Sequence, residues 1–172
     1  MDLEIIQASE EHEAVLDNLA RYYTYDCAEY VDADFDWYRC QADGTFNSGV
    51  SRYLAEPDST VFLVKAAGEW AGFAVVERVK DVPGVDFYMG DFCVTRPWRR
   101  KGVGKHLART LFDRYEGRWE LCIWPANTPA MFFWERVVSE YTDGLATTTI
   151  DRSHRFRHGK RLCTHRFDSR GA

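Results

Sequence analysis

Three short apolar segments follow one another between residues 60 and 95, and a turn signal separates each from the next. The segments are Thr60 to Ala66, Trp70 to Val79 and Asp86 to Thr95, with Gly68 and the pair Pro83-Gly84 between them. Such β-rich runs divided by glycine and proline predict an antiparallel meander. A helical apolar face over residues 107–115 and a strand-like run over residues 119–124 come next. This order predicts a right-handed crossover between two parallel strands.

The flanking segments predict further helices and strands. A strand at residues 3–6 and a helix capped by Ser9 come first, residues 24–36 predict a loop or short helix, and another helix covers Gly49 to Ala55. A helix capped by Thr128, with Pro129 in its first turn, precedes two closing strands at residues 142–150 and 162–167. The predicted fold class is α+β: an antiparallel meander, a β-α-β parallel pair, a helix and a C-terminal hairpin.

Length and composition favour one globular domain over residues 1–172, because 45% of the residues are hydrophobic and 28% are charged. No apolar run approaches the length of a membrane span, and the acidic N-terminus lacks the basic region of a signal peptide, so we expect a cytoplasmic protein without a membrane partner. Five cysteines, without Cys-x-x-Cys spacing, predict reduced thiols and no metal site.

Charge is unevenly distributed along the chain. The net charge is −11 over residues 1–60 and +5 over residues 151–172, within a total of −5. The acidic and basic ends could pair with each other, or the acidic segment could line a site for a cationic substrate. With a sequence pI of about 5.5, the chain does not resemble a nucleic-acid-binding domain.

The segment from Val94 to Lys105 contains Gly102, Gly104 and a cluster of cations. The cations are Arg96, Arg99, Arg100, Lys101 and Lys105. A strand that ends near Thr95 and a helix that begins near Gly104 direct unpaired amides and the positive helix end towards one place, which suits a phosphate. The spacing is Arg-x-x-Gly-x-Gly, so neither the nucleoside-triphosphate loop nor the dinucleotide fingerprint is predicted.

This motif resembles the acyl-CoA motif of the GNAT superfamily of N-acetyltransferases. A second segment, Asn127-x-x-Ala130-x-x-Phe133-Trp134, is similar to the Asn-x-x-Ala-x-x-Phe/Leu-Tyr segment of the family's following helix. The resemblance covers residues 60–141. It implies a GNAT-like mixed sheet with splayed parallel strands, and it implies acetyl-CoA as the co-substrate.

The resemblance also implies roles for individual residues. The backbone of Phe92, Cys93 and Val94 would pair with the pantetheine arm, and the Val94 N–H would stabilise the oxyanion. The diphosphate would lie on the backbone of Arg99, Arg100, Lys101, Gly102, Val103, Gly104 and Lys105. Asn127 would contact the arm, and Trp134 would line the acyl channel or serve packing alone.

The chain departs from the family pattern at Trp134, where the usual residue is a tyrosine acid. An indole cannot supply the proton, but the thiol of coenzyme A has a pKa of about 8.5, so its thiolate can leave without a dedicated acid. The base is expected to be Asp91, which alternation places on the strand face that carries Cys93. Asp91 could instead be a structural carboxylate, and the weaker alternatives for the base are Asp86, Tyr88 and Glu120.

Aromatic and acidic residues in the first third suggest where an acceptor enters. Tyr22, Tyr25 and Asp26 lie in a segment that suits a cation through ring faces and charge pairing, although surface packing would also explain them. We therefore expect direct acetyl transfer to a primary amine of a small molecule or peptide, in a ternary complex. The alternative is a non-catalytic acyl-CoA-binding module. The sequence leaves open whether the chain forms a homodimer.

Overall fold

The structure, a computed structural model, describes residues 1–31, 35–152 and 161–171. Seven strands form a mixed sheet in the order β1-β2-β3-β4-β5-β7-β6. The strands are β1 Leu3–Gln7, β2 Ser59–Ala66, β3 Glu69–Arg78, β4 Phe87–Val94, β5 Arg118–Ile123, β6 Thr147–Arg152 and β7 Arg161–Asp168. The helices are α1 Glu13–Cys27, α2 Val103–Arg114 and α3 Thr128–Tyr141. Short 3-10 helices cover Glu10–His12, Asp36–Tyr38, Ser51–Leu54 and Arg96–Trp98.

The predicted α+β class and the order of elements are confirmed. Neighbouring strands β2 and β3 are antiparallel, β4 and β5 are parallel, and β7 pairs antiparallel with both β5 and β6. The closing hairpin therefore places its second strand, β7, inside the sheet and its first strand, β6, at the edge. Part of the basic tail, residues 153–160, and Asp32 and Asp34 of the acidic segment lie outside the described residues.

Of the loop or short helix predicted over residues 24–36, the first part is helical: α1 continues to Cys27, and the buried Thr24 and Cys27 extend its buried stripe. Two local predictions were wrong. The helix expected over residues 49–55 is a single 3-10 turn. The N-cap of α3 is Asn127 rather than Thr128, since the Asn127 side chain accepts a hydrogen bond from the Ala130 N–H at 3.1 Å.

The chain divides into two compact units, and the first contains Met1–Glu77 and Gly90–Leu107. Its core lies between one face of α1 and the strands β2, β3 and β4. Leu16, Leu19 and Ala20 follow the helical i, i+3, i+4 spacing, so their side chains share one face. They pack with the buried strand residues Val61, Leu63, Phe73, Val75 and Cys93.

The second unit contains Arg78–Met89 and Ala108–Ala172. Its described core is rich in aromatic rings, with Phe112 of α2 at the centre. Ring centroids lie 4.8 Å from Phe112 for Phe167, 5.0 Å for Trp119 and 5.2 Å for Tyr141. Edge-to-face contacts at such distances stabilise a core beyond the burial of the ring area.

Within the described residues, no helix has both the length and the apolar character that a membrane crossing needs.

Candidate functional site

The last residues of β4 point to alternate sides of the sheet. Cys93 packs into the apolar cluster that contains Leu16 of α1, so its side chain faces that helix. Asp91, two residues earlier, lies on the same side and accepts a hydrogen bond from the hydroxyl of Tyr23, which also belongs to α1. The predicted alternation is therefore present, and it places the carboxyl of Asp91 on the α1 side.

Asp91 is half-buried, and its environment favours the protonated form. Desolvation raises the pKa of its carboxyl, while the hydrogen bond from Tyr23 and the positive charge of Arg52 act in the opposite direction. The balance leaves the pKa above the usual range. Arg52 is itself held over the rings of Trp37 and Tyr53, at 5.3 and 4.7 Å from the centroids. A carboxylate with a raised pKa is the better proton acceptor near neutral pH.

A close backbone approach fixes the end of β4 against β3. A Cβ at position 72 would lie 2.1 Å from the carbonyl oxygen of Cys93, so only glycine fits at Gly72. The N–H and the hydroxyl of Thr95 both donate to the carbonyl of Ala71, at 2.8 and 3.2 Å. Val94 lies between these two anchors.

The parallel strands pair over a short length. In the described part of the chain, pairing joins residues 87–89 of β4 to residues 119–121 of β5. β4 then continues to Val94, so Phe92, Cys93 and Val94 lie beyond the paired register. The paired register of the two strands therefore ends at Met89 and Leu121.

The connection from β4 to α2 is a tight turn with two left-handed residues. Arg100 has φ 60° and Gly102 has φ 86°. A Cβ at Gly102 would meet nothing within 4 Å, so glycine is favoured there by the backbone angle and not by lack of space. The carbonyl of Gly102 accepts the N–H of His106 at 2.9 Å. The amides of Val103 and Gly104, in the first turn of α2, have no partner within the helix and suit an anion.

The five cations of this segment fall into two groups. Arg96 donates to one carboxylate oxygen of Asp26 from Nε at 3.1 Å and from a terminal nitrogen at 2.8 Å, and a terminal nitrogen of Arg99 donates to the other oxygen. Arg99 Nε also donates to the carbonyl of Val94 at 2.7 Å. Lys101 Nζ lies 4.8 Å from the ring centroid of Trp98. Arg100, Lys101 and Lys105 are exposed at the start of α2.

The residues proposed for the acceptor differ in their surroundings. Tyr22 and Tyr25 are 64% and 58% exposed, and the Tyr25 ring meets Phe46 edge to face at 5.3 Å. Both oxygens of Asp26 are engaged by arginines. Burial raises the pKa of Asp26, but the hydrogen bonds from Arg96 and Arg99 outweigh it, and the net pKa is lowered. A substrate role for these three residues stays a prediction.

Asn127 and Trp134 belong to the second unit, and each has an evident local role there. The side-chain oxygen of Asn127 caps α3. Trp134 is 6% exposed on the buried face of α3, 6.5 Å from Phe112 and 4.9 Å from Phe133 between ring centroids. Packing therefore accounts for the indole, and contact of either residue with a ligand stays a prediction.

The weaker candidates for the base have structural partners. Arg118 donates to both carboxylate oxygens of Asp86, at 2.9 and 2.7 Å. Glu120 is fully buried and accepts a hydrogen bond from Arg166 at 2.8 Å, while Tyr88 is 6% exposed. Arg166 and Arg170 of the basic tail pair with Glu120 and Asp168, neither of which lies in the acidic first sixty residues.

The thiols near β4 are not activated. Cys93 is 5% exposed and Cys27 is 8% exposed, and burial raises the pKa of each to about 12. Such thiols are protonated at neutral pH and are poor nucleophiles. Among the described side chains, no group of three or more His, Cys, Asp and Glu is placed to hold a metal ion.

Sequence reasoning missed the partners of the candidate residues. Tyr23 beside Asp91, and Asp26 beside Arg96 and Arg99, join parts of the chain some seventy positions apart. No local pattern carries such a pairing. A signal that sequence reasoning could have used is Asp26 itself. Its carboxylate lies in the last turn of α1, where the helix dipole disfavours it and no basic residue offsets it, so a distant cationic partner could be expected.

Comparison with known proteins supports one family. The profile of the Acetyltransferase (GNAT) family matches residues 13–138. No curated protein matches the chain at a significant level. An acetyltransferase structure from Thermus thermophilus is 11% identical with a TM-score of 0.66, and the match covers 98% of this chain and 97% of that one.

Two other solved structures share the fold. The ribosomal-protein-S18-alanine N-acetyltransferase from Escherichia coli is 15% identical, with a TM-score of 0.61 over 97% of this chain and 94% of that one. AAC(6')-Iy, in complex with the bisubstrate analogue CoA-S-monomethyl-acetylneamine, is 19% identical, with a TM-score of 0.53 over 80% and 90%. At these identities the likeness shows the fold alone. The family match, which covers most of the chain, goes further: this protein belongs to the GNAT acetyltransferase family and is an enzyme that transfers acetyl groups.

Proposed function

We propose that the chain transfers an acetyl group from acetyl-CoA to a primary amine of a small molecule or a peptide, by direct attack in a ternary complex. The observation that carries the proposal is the turn from β4 to α2, with left-handed Arg100 and Gly102 directly before the first turn of a helix. This geometry offers backbone amides and the positive helix end to an anion, and the GNAT family uses acetyl-CoA, whose diphosphate is such an anion.

The first unit offers backbone partners along the length of the donor. The amides of residues 99–105 would receive the diphosphate, with the charges of Arg100, Lys101 and Lys105 beside it. The pantetheine arm would pair with Phe92, Cys93 and Val94, which lie beyond the register shared with β5. Asn127 and Trp134 remain proposed contacts of the arm and of the acyl group. Because the Asn127 oxygen caps α3, its amide nitrogen is the atom that would donate to the arm.

Asp91 is the proposed base, and Val94 the proposed oxyanion donor. Asp91 accepts one proton from the ammonium form of the acceptor, and the neutral amine nitrogen then forms a bond to the acetyl carbonyl carbon. The Val94 N–H donates to the developing oxyanion, the carbon–sulfur bond breaks, and the thiolate takes up, through water, the second proton that the nitrogen releases. The raised pKa of Asp91 brings this carboxyl nearer to the working pH of a general base.

The low reactivity of the buried thiols favours direct attack over an acyl-enzyme. Cys93 is the cysteine within the proposed donor-binding backbone, and its burial and its pKa of about 12 oppose nucleophilic attack. The bisubstrate analogue bound to AAC(6')-Iy joins coenzyme A to an acceptor fragment in one molecule, which is consistent with a ternary geometry in this fold.

The acceptor is proposed to be cationic before it reacts. Residues 1–60 carry a net charge of −11, and the exposed rings of Tyr22 and Tyr25 offer faces to an ammonium group. One structural neighbour is named for a protein alanine and another is bound to a small-molecule analogue, so both kinds of amine belong in a screen. A cytoplasmic location, a single domain over residues 1–172 and the open possibility of a homodimer stay predictions.

The test is the release of coenzyme A thiol from acetyl-CoA over a panel of peptide and small-molecule amines. We expect turnover with at least one amine, and initial rates at several concentrations of both substrates that give intersecting double-reciprocal lines. Parallel lines would contradict direct attack, since they indicate an acyl-enzyme. Tight binding of coenzyme A without turnover on any amine would favour the acyl-CoA-binding module instead.

A further inference from the structure

We infer that Asp26 is a positioning residue for the donor site, and not a contact of the acceptor. This inference rests on the proposed function, because it concerns the turn that would bind the diphosphate of acetyl-CoA. Asp26 lies on the last turn of α1, and it joins that helix to the turn after β4 through Arg96 and Arg99.

The contacts form a continuous path of hydrogen bonds. The Asp26 carboxylate accepts two bonds from Arg96 on one oxygen and a bond from Arg99 on the other. Arg99 then donates through Nε to the carbonyl of Val94, at 2.7 Å. The guanidinium of Arg99 thus links three backbone segments, namely the end of α1, the end of β4 and the turn before α2. Removing the carboxylate breaks the bonds from both arginines and leaves Arg99 with its bond to the Val94 carbonyl.

The position of Asp26 is unfavourable for α1 itself. A carboxylate in the last turn of a helix opposes the macrodipole, and α1 has no basic residue in its last turn to offset it. The side chain is 18% exposed, whereas the paired side chains of Arg96 and Arg99 are 69% and 43% exposed. A residue that breaks a local rule in this way is best explained by the long-range contacts that it makes.

Charge alone predicts the opposite effect on the donor. A carboxylate close to a diphosphate site repels the ligand, so neutralising Asp26 should tighten the binding of coenzyme A if the side chain acts only through its field. If Asp26 positions the turn, neutralising it should weaken binding, because Arg99 loses the carboxylate that orients its guanidinium and the amides of the turn lose their fixed arrangement. The two roles are therefore separated by the sign of one measurement.

The experiment compares coenzyme A binding by calorimetry for the wild type, Asp26→Asn, Asp26→Glu and Glu29→Gln. Glu29 is the matched control, because it lies just beyond α1 and its own hydrogen-bond partner is Tyr30. The hydrogen bond with Asp26 is the main cause of the raised pKa of Arg96, and Glu29 adds to it only through its charge. We expect Asp26→Asn to weaken binding at least fivefold, Asp26→Glu to recover part of this loss, and Glu29→Gln to stay within twofold of the wild type.

Kinetics and a double variant give further readouts. Asp26→Asn should raise the KM for acetyl-CoA by a similar factor while the KM for the amine stays within twofold. The single variant Arg99→Gln and the double variant Asp26→Asn with Arg99→Gln complete a double-mutant cycle. The double variant should bind coenzyme A no more than twofold more weakly than the weaker-binding single variant, since both residues belong to one path. Thermal unfolding of each variant, with its midpoint well above the assay temperature, ensures that the folded protein is compared.

Contrary results separate this inference from the proposed function. Unchanged or tighter binding of coenzyme A by folded Asp26→Asn overturns the positioning role and leaves the donor site intact. A rise in the KM for the amine alone also overturns it, because it returns Asp26 to the acceptor. Independent losses that multiply in the double variant contradict a shared path. Failure of the wild type to bind coenzyme A overturns the donor site and the positioning role together.

Discussion

The two compact units of the chain differ in what surrounds their candidate site residues. In the first, the end of β4 lies among titratable groups, with Asp91 beside Tyr23 and Cys93 near Cys27. In the second, the core of the described residues is built from aromatic rings around Phe112. The second unit also buries titratable groups, namely Glu120, which is fully buried and pairs with Arg166, and His165, which is 2% exposed. The carboxyl whose pKa is raised by burial is Asp91 in the first unit, and such a perturbed group near a proposed binding site is a candidate for chemistry.

The difference bears on residues that the family resemblance places in one site. Asp91, Val94 and the turn before α2 lie in the first unit, and their proposed roles concern the donor and the transfer step. Asn127 and Trp134 lie in the second, where a helix cap and an aromatic core already account for them. We therefore expect substitutions in the first unit to act mainly on catalysis or binding, and those in the second to act mainly on stability.

The largest expected effect is that of Asp91→Asn. Loss of the base should lower kcat by about 10²- to 10⁴-fold at neutral pH, measured as thiol release with a saturating amine. In the wild type, kcat/KM should rise with pH through the raised pKa of Asp91 and level off above it, since only the carboxylate accepts a proton. Tyr23→Phe should move this rise to higher pH, because the hydrogen bond that lowers the pKa of Asp91 is removed.

Asp91→Asn should also make the folded protein more stable. The pKa of Asp91 is raised by folding, so ionising its carboxyl opposes folding, and this penalty grows as pH increases from the unfolded value through the folded one. Denaturant unfolding should therefore show that Asp91→Asn gains stability relative to the wild type at neutral pH and gains less in acid.

A folded Asp91→Asn variant that retains more than a tenth of the wild-type kcat would contradict the role of Asp91 as the base.

Trp134→Ala tests the second unit and should chiefly destabilise it. Removal of a large buried aromatic side chain costs about 3–5 kcal/mol in the free energy of unfolding, and the contact with Phe112 is lost. Trp134→Phe, which keeps a ring, should lose less and should keep kcat/KM within threefold of the wild type. If Trp134→Phe is stable but loses more than tenfold in kcat/KM, the indole takes part in the acyl channel.

The elements were predictable from sequence where local patterns decide them. β-branched runs, Gly68 and the pair Pro83-Gly84 determine the strands of the meander, and glycine spacing indicates the turn before α2. The boundaries failed where two local options compete: Asn127 and Thr128 can both cap a helix, and only packing decides which one does. The sequence left a loop or a short helix open over residues 24–36, and α1 continues to Cys27, whose side chain is buried.

The candidate site was predictable only in its backbone part. The turn and the end of β4 follow from sequence, because a strand, glycines and a helix specify their geometry. The ion pair of Asp26 with Arg96 depends on which elements the topology brings together, and the sequence separation of 70 positions gives no local signal. The side of the sheet that Asp91 faces was open for the same reason, since alternation fixes relative sides but not which helix covers them.

Gly102→Ala should weaken donor binding by a moderate amount. A non-glycine residue at φ 86° is strained by about 1–2 kcal/mol, and this strain either distorts the turn or opposes its ordered state. We expect coenzyme A binding to weaken by about tenfold, since 1.4 kcal/mol corresponds to that factor.

Gly68→Ala is the matched control, because Gly68 has φ 82° and equally open space but lies in the turn between β2 and β3. This control should lower stability without changing the affinity, and equal affinity losses in both variants would contradict the donor site.

The smallest effect is expected at Asp86, in the second unit. Its carboxylate accepts the Arg118 N–H at 2.8 Å and two bonds from the Arg118 side chain. Asp86→Ala should lower the free energy of unfolding by about 1 kcal/mol at pH 7, the net value of a typical hydrogen bond, and should leave kcat unchanged. Because the side-chain hydrogen bond from Arg118 depresses the pKa of Asp86 in the folded protein, the wild type keeps this contribution above the unfolded pKa of about 3.9 and loses it as pH falls towards the folded value. The difference between wild type and Asp86→Ala in denaturant unfolding should therefore shrink at pH 3. Asp86→Asn can still accept the backbone N–H, so its free energy of unfolding at pH 7 should lie between those of the wild type and Asp86→Ala. A loss of kcat in either folded variant would contradict the expectation that substitutions in the second unit act mainly on stability.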